Sequence, residues 1–186
     1  MKIRAATGAD HHAIWNIFHE TIATGDTYAF DPKMSREEAL AYWFRAGTHT
    51  YVVELDRQSV GEADGCPGTA TPSATASKQD RRIVGTYILR PNQSGGGSHV
   101  ANAAFMVAGS ARGQRIGRAM AEHCLDEARR MGFRAMQFNF VVSTNAPAIH
   151  LWEQLGFRIV GTLPAAFHHP EKGYVDVYVM YRSSLT

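Results

Sequence analysis

The sequence predicts a single α/β domain with at least one parallel pair of strands. From His99 onward, β-rich runs alternate with segments of helical periodicity, an order that needs a crossover between parallel strands. Upstream, residues 50–55 and 83–89 are both β-rich and pair most simply as an antiparallel hairpin. The 186 residues, 45% of them apolar, suffice for one hydrophobic core without disulfides or metals.

Lys2 to Thr7 reads as a short strand. Asp10 then caps a helix whose apolar residues Ile14, Trp15, Ile17, Phe18 and Ile22 recur at helical spacing, and Gly25 stops it. A polar and aromatic loop, Gly25 to Pro32, leads to Ser35-Arg36-Glu37-Glu38, a capping box in which Ser35 and Glu38 satisfy the helix end reciprocally. This second helix is predicted to run to about Ala46, with Ala39, Leu40, Tyr42 and Trp43 on or near its buried face. The hairpin follows. Between its strands, residues 58–82 are rich in Gly, Ala, Thr, Ser, Pro and Asp without periodicity. Such a composition cannot bury enough apolar surface to offset its ordering entropy, and predicts a flexible insertion. Gly95-Gly96-Gly97-Ser98 forms a shorter loop. Then come a strand from Val100 to Val107, a helix from Gly117 to Met131, a strand from Ala135 to Val142, a helix from Ala146 to Leu155, and strands near 158–162 and 174–181.

Bulk properties exclude several classes of function. With 19 basic and 17 acidic residues the net charge is +2, too small to argue for nucleic acid or a membrane surface. Cys66 and Cys124 do not make a disulfide framework, which points to a reducing compartment. No apolar segment follows the N-terminal Met1-Lys2-Ile3-Arg4, and no run of about 18 apolar residues occurs, so a soluble, unexported, cytoplasmic protein is expected. His11-His12 and His168-His169 are adjacent pairs whose side chains face apart, so no metal site is expected. Ser143, His150 and Asp176 have no nucleophile-elbow context.

The chemistry concentrates after Val107. Ala108-Gly109-Ser110-Ala111 leads through Arg112-Gly113-Gln114-Arg115-Ile116-Gly117-Arg118 into a helix with Met120, Cys124, Leu125, Ala128 and Met131 on one side. The first N–H groups of a helix have no intrahelical partner and can hold an anion. Three arginines within seven residues add positive potential, and a diphosphate matches so many spread donors. Neither the P-loop spacing nor GxGxxG is present, which removes support for nucleoside triphosphates and nicotinamide cofactors.

This stretch resembles the coenzyme A loop, [QR]-x-x-G-x-[GA], of the GNAT acetyltransferase superfamily. Aligned on Arg112 the match is Arg112-x-x-Arg115-x-Gly117, with Arg115 where Gly is usual; aligned on Gln114 it is Gln114-x-x-Gly117-x-Ala119. The Arg112 register keeps the family's strand-to-loop distance. Downstream, Asn145-Ala146-Pro147-Ala148 and Leu151-Trp152-Glu153-Gln154-Leu155-Gly156-Phe157 resemble the family's Asn-x-x-Ala and Leu-Tyr-x-x-x-Gly-Phe segment. The resemblance implies a central, mixed, mostly antiparallel and twisted sheet of six or seven strands with one parallel, splayed pair and about four flanking helices. It covers residues 1–186 as one N-acetyltransferase domain, apart from the insertion. It implies acetyl-CoA as co-substrate, contacted by Phe105, Val107, Arg112, Gly113, Gln114, Arg115, Ile116, Gly117, Arg118 and Asn145, without a metal.

On the strand 135–142, Met136, Phe138, Phe140 and Val142 alternate as an apolar face, whereas Gln137 and Asn139 share the other. An Asn in mid-strand is disfavoured, so a reward on that face is expected, either substrate binding or a bond to a neighbouring loop. The same holds for Asn102, whereas Asn145 at a helix start suits capping. Asn102, Asn139 and Asn145 together resemble the asparagines of fungal N-acetyltransferases acting on azetidine-2-carboxylate and proline-like imino acids, and the loop around Tyr28 resembles theirs. That resemblance implies Asn102, Asn139 and Tyr28 as acceptor-binding and Asn139 and Asn145 as catalytic-centre residues. Trp152 stands where many relatives have the Tyr that protonates the leaving thiolate. Glu54 and Asp176 are the carboxylates weighed as base; His168, His169 and Tyr174 either border the acceptor pocket or are solvated loop residues, the second reading being preferred.

The expected activity is acetyl transfer to the amine of a small molecule, such as an amino or imino acid. Acetylation of a protein or peptide amine, or an acyl-CoA-binding sensor without catalysis, are the alternatives. A homodimer is left open.

Overall fold

A computed structural model describes residues 1–56 and 81–185. Among these residues seven strands, β1 (Lys2–Ala5), β2 (His49–Asp56), β3 (Arg81–Pro91), β4 (Val100–Val107), β5 (Ala135–Val142), β6 (Arg158–His169) and β7 (Gly173–Ser183), form one sheet in the order β1-β2-β3-β4-β5-β7-β6. The expected hairpin is β2 with β3, and the expected parallel pair is β4 with β5. Most of the predicted insertion, residues 58–80, lies outside the described residues. Its predicted end is corrected, because Arg81 and Arg82 already pair with Asp56 and Leu55 in the hairpin.

Among the described residues four α-helices cover the sheet: α1 (His11–Ala23), α2 (Arg36–Trp43), α3 (Ile116–Arg130) and α4 (Ala146–Gln154). The period-2 geometry of the central strands divides the core. Tyr87, Leu89, Ala101 and Ala103 pack with α3 and α4, whereas Val52, Ile88 and Met106 pack with α1 and α2. Helix α3 lies so close to β3 that a Cβ on Gly85 would stand 3.0 Å from Met120 Sδ. On the other face Trp43 is fully buried at its core, contributing on the order of 3 kcal/mol by area. Its polar atom is not orphaned: Nε1 donates to Thr86 Oγ1 (2.9 Å), which donates to the Tyr51 carbonyl (2.9 Å).

Local capping follows the expected chemistry in one helix and departs from it in another. Ser35 Oγ accepts from the Glu38 N–H (3.2 Å), and Glu38 Oε2 accepts from the Ser35 N–H (2.9 Å). Helix α2 stops at Trp43 rather than Ala46, because the chain turns through Gly47 in the left-handed region to enter β2. Asp10 does not cap α1 with its carboxylate. A short 3-10 turn precedes the helix, and the Asp10 carboxylate accepts from Thr7 N–H (2.8 Å) and from Arg4 (2.7 and 2.8 Å), tying β1 to α1.

The predicted alternation of β5 is broken. Its register with β7 shifts between Phe138 and Val141, so Phe138 and Val141 both enter the α3/α4 core, Val142 joins Phe167 and Val177 elsewhere, and Phe140 is exposed. A β-bulge adds a residue and re-aims the side chains beyond it. Strands β6 and β7 run longer than predicted, with two register shifts in β6.

Candidate active site

Strands β4 and β5 pair only at Val100 with Ala135 and Ala101 with Met136, and then part. Three features hold them apart. Asn102 Nδ2 donates to the Gln137 carbonyl (2.8 Å), replacing a main-chain bond by a side-chain spacer. The β5 bulge bends that strand away at Asn139 and Phe140. Tyr28 inserts its hydroxyl from the loop after α1, accepting from the Phe105 N–H (3.1 Å) and donating to the Phe105 carbonyl (2.5 Å). The hydroxyl thus satisfies two main-chain groups that β5 would serve in a continuous ladder.

The gap is a cavity of about 400 Å³ lined by residues from both faces of the sheet. Tyr28, Phe30, Tyr42, Arg90 and Asn102 line it on the α1/α2 side; Phe105, Phe138, Asn145, Ala148 and Trp152 line it on the α4 side. Trp152 is nearly buried, its ring 4.6 Å from Phe138 and 5.1 Å from Phe105 between centroids. Burial pushes the Tyr28 hydroxyl up to about 12, so it stays protonated through neutral pH. Among the described residues no carboxylate lines this cavity. Glu54 is engaged by Arg4 (2.6 Å) and Arg81 (3.5 Å), and Asp176 accepts from the Ala165 N–H (2.9 Å); neither lines it.

Of the three asparagines, each has structural partners. Asn139 is exposed, its Oδ1 accepting from Gln137 Nε2 (2.8 Å) and its Nδ2 donating to Asn92 Oδ1 (2.7 Å). Asn145 caps α4, its Oδ1 accepting from the Ala148 N–H (3.3 Å). All three line the cavity. Asn145 and Thr27 also line a second cavity with Asp26 and His169. His169 was expected in solvent, yet it is 7% exposed, because its Nδ1 accepts the N–H groups of Glu171 and Lys172 and closes the β6–β7 turn. His168 and Tyr174 are exposed as expected, but they are paired residues of β6 and β7 rather than loop residues.

Beyond Val107 the chain makes a 3-10 turn, Gly109–Ala111, and enters α3. Gly113 (φ 78°) and Arg115 (φ 59°) are both left-handed. Arg115 therefore adopts the backbone conformation for which glycine is suited, although it carries a Cβ that disfavours it. Among the described residues the N–H groups of Gly113 through Arg118 have no acceptor, and Arg112 to Arg115 are exposed. Such alternating left-handed residues make a concave nest of amides, which at a helix N-terminus suits a diphosphate. The side chains divide differently from the amides. Ile116 is buried in the core, Arg118 is held by Glu122 (3.4 Å) and Gln154, and the Arg112 N–H is spent on Gly109 O (3.2 Å). The guanidiniums of Arg112 and Arg115 have no carboxylate partner among the described residues.

The Ala108 N–H bonds back to Val84 on β3 (2.9 Å) and the Asn92 N–H reaches the Val100 carbonyl (2.8 Å). Strand alternation therefore turns the main-chain groups of Phe105 and Val107 toward the splay. Phe105 is occupied by Tyr28, whereas the Val107 N–H has no acceptor among the described residues.

Comparison with known proteins agrees with this geometry. The sequence model of the acetyltransferase (GNAT) family matches residues 15–157. N-acetyltransferase aca1 of Schizosaccharomyces pombe is 36% identical over 159 residues, 85% of this chain and 72% of that one. Protein SPT10 of Saccharomyces cerevisiae is 26% identical over 173 residues; the match spans 80% of this chain and 27% of that much longer protein. A GCN5-related N-acetyltransferase from Kribbella flavida superposes with a TM-score of 0.80 at 38% identity, covering 98% of this chain and 96% of that one. A phosphinothricin acetyltransferase from Sinorhizobium meliloti, solved with acetyl-CoA, shares the fold at a TM-score of 0.74 and 18% identity, covering 98% and 88%.

Proposed function

The chain belongs to the GNAT acetyltransferase family and is an acetyl-CoA-dependent N-acetyltransferase; from that premise we propose that it acetylates the amine of a small molecule held in the splay between β4 and β5. The supporting observation is the cavity itself. At about 400 Å³ it has the size of a small-molecule site, and its lining takes in both Tyr28 and Tyr42 on one side of the sheet and Trp152 on the other. A protein or peptide amine would be favoured by a broad surface groove, and a non-catalytic sensor would have no use for a passage to a second substrate.

In this reading residues 1–186 act as one N-acetyltransferase domain. The amides of Gly113 through Arg118, with the guanidiniums of Arg112 and Arg115, hold the diphosphate of acetyl-CoA. Phe105 and Val107 flank the acyl chain, and the Val107 N–H is the donor for negative charge developing on the acyl oxygen. The co-substrate supplies a thioester-activated acetyl group. Asn102, Asn139 and the Tyr28 ring form the acceptor's surroundings, and an amino or imino acid such as a proline analogue fits that set of carboxamides and aromatic surface. Asn145 keeps α4 and its Trp152 at the acyl end. An indole cannot protonate a thiolate, so that proton comes from water, and alignment of the two substrates supplies much of the acceleration.

Titration calorimetry with acetyl-CoA, followed by a thiol-release assay on amino acids, imino acids and a peptide, tests this proposal. Turnover on a small amine is expected. Turnover confined to the peptide, or uptake of acetyl-CoA with no thiol released from any acceptor, would overturn it. Asn139→Ala is expected to raise the acceptor KM more than about tenfold and spare acetyl-CoA affinity; an equal loss of both would refute its acceptor role.

A further inference from the structure

The acceptor end of the cavity contains a cation without an anion. Arg90, near the end of β3, is half-buried and lines the cavity. Its Nη2 donates to Tyr42 Oη (3.0 Å), and its guanidinium carbon lies 5.1 Å from the centre of the Tyr42 ring. Its Nη1 is buried and has no hydrogen-bond partner among the described residues. Nor does any described carboxylate come within ion-pair distance of this guanidinium.

A charge removed from water without a partner is costly, and proteins normally pair it. Arg4, also partly buried, is held by both Asp10 and Glu54. The contrast implies that the partner of Arg90 arrives from outside. A guanidinium fixed by a tyrosine hydroxyl and ring is pre-organised for a planar, two-oxygen anion, and offers a carboxylate parallel N–H donors. Asn102 is the direct cross-strand neighbour of Arg90. Cross-strand partners have Cβ atoms about 5 Å apart on one face, so the carboxamide and the guanidinium address the same ligand group.

Building on the small-amine reading above, we propose that Arg90 is the counter-ion of the acceptor, and that the enzyme selects amines bearing a carboxylate. The acid group binds between Arg90, Tyr42 and Asn102, with the amine directed into the splay toward Trp152. Arg90 is a specificity-determining residue and takes no part in moving the acetyl group.

The test compares the common amino acids, L-proline included, each beside its primary amide. Wild-type enzyme is expected to favour the acids by tenfold or more in kcat/KM. Arg90→Gln should lower kcat/KM for the best acid by roughly 10- to 100-fold, through KM, and leave its amide within threefold; Arg90→Lys should recover part of the loss. Equal falls for acid and amide, or no wild-type preference for acids, would overturn the proposal. If no small amine is acetylated, the small-amine reading fails separately, and calorimetry of the same acids with coenzyme A-loaded protein reads the anion contact alone. Acid binding lost in Arg90→Gln supports the contact; no acid binding, or binding equal in both proteins, refutes it.

Discussion

Replacing Tyr28 by Phe removes one oxygen and tests how the splay is maintained. That oxygen accepts from the Phe105 N–H and donates to the Phe105 carbonyl, across 77 residues of sequence. Each net hydrogen bond contributes on the order of 1 kcal/mol, and a buried group left unpaired costs roughly 1–3 kcal/mol. The adjoining cavity is roomy enough for water to reach the freed groups, which favours the lower end for both, so a loss of about 2 kcal/mol is expected. Denaturant unfolding of wild type and Tyr28→Phe measures it. The sign with pH is also fixed. Burial raises the Tyr28 hydroxyl to about 12, so its proton is present in folded and unfolded chains below about 10. The stability difference should therefore be constant from pH 6 to 9 and shrink only as pH rises from about 10 toward 12. Because the hydroxyl is already occupied, the ring is what an acceptor meets, and the acceptor KM should change less than about threefold. A variant as stable as wild type within about 0.5 kcal/mol would refute the bridging role.

The remaining expectations concern the turn after Val107 and the β1–α1 junction. Arg115 is left-handed at a strain of roughly 1–2 kcal/mol, and glycine costs about 0.5–1 kcal/mol in chain entropy, so Arg115→Gly should stabilise the fold by about 0.5–1 kcal/mol in thermal unfolding. The same variant keeps the amide nest, so its acetyl-CoA Kd should rise less than about tenfold by calorimetry, whereas a larger rise would assign the binding mainly to the guanidinium. At the other site, the Arg4 guanidinium and the Thr7 N–H hold the Asp10 carboxyl at about 2, below its ordinary 3.8. At 1.36 kcal/mol per pH unit, Asp10→Asn should lose about 2 kcal/mol at pH 7. The depressed group stabilises above about pH 4, so the gap between the two proteins should close as pH falls from 4 toward 2; a gap that persists at pH 2 would contradict the ion-pair account.

Much of the fold was legible because its determinants are local. The Ser35–Glu38 box, the Gly25 stop and the helical spacing of Ile14, Ile17, Phe18 and Ile22 each act within a few residues, and each is found as expected. The bulge in β5 was not legible, because Phe140 alternates correctly with Phe138 in sequence and only pairing with β7 reveals the extra residue. Asp10 illustrates a competition that propensity cannot decide. It is a good capping residue, but Arg4 is within reach once β1 and α1 pack, and two charge-assisted bonds from its guanidinium, with one from the Thr7 N–H, outweigh a single cap bond.

The site divides in the same way, and the division explains where the sequence could be trusted. Main-chain chemistry was legible through spacing: the turn after Val107 leaves the expected amides without acceptors among the described residues, while the left-handed backbone of Arg115 was not foreseen and follows from the loop's path. Side-chain chemistry was legible only as residue type. Asn102 and Asn139 stood out as polar residues in mid-strand, yet their partners, the Gln137 carbonyl and Asn92, depend on how two strands diverge. Arg90 carried no signal at all, being one arginine at a strand end among many charged positions. What distinguishes it is the counter-ion it lacks among the described residues, which becomes visible only when its neighbours in the fold have been placed. Under the proposal that Arg90 pairs with the acceptor, the acceptor's charge is read more directly from Arg90 than from the asparagines, which already have protein partners.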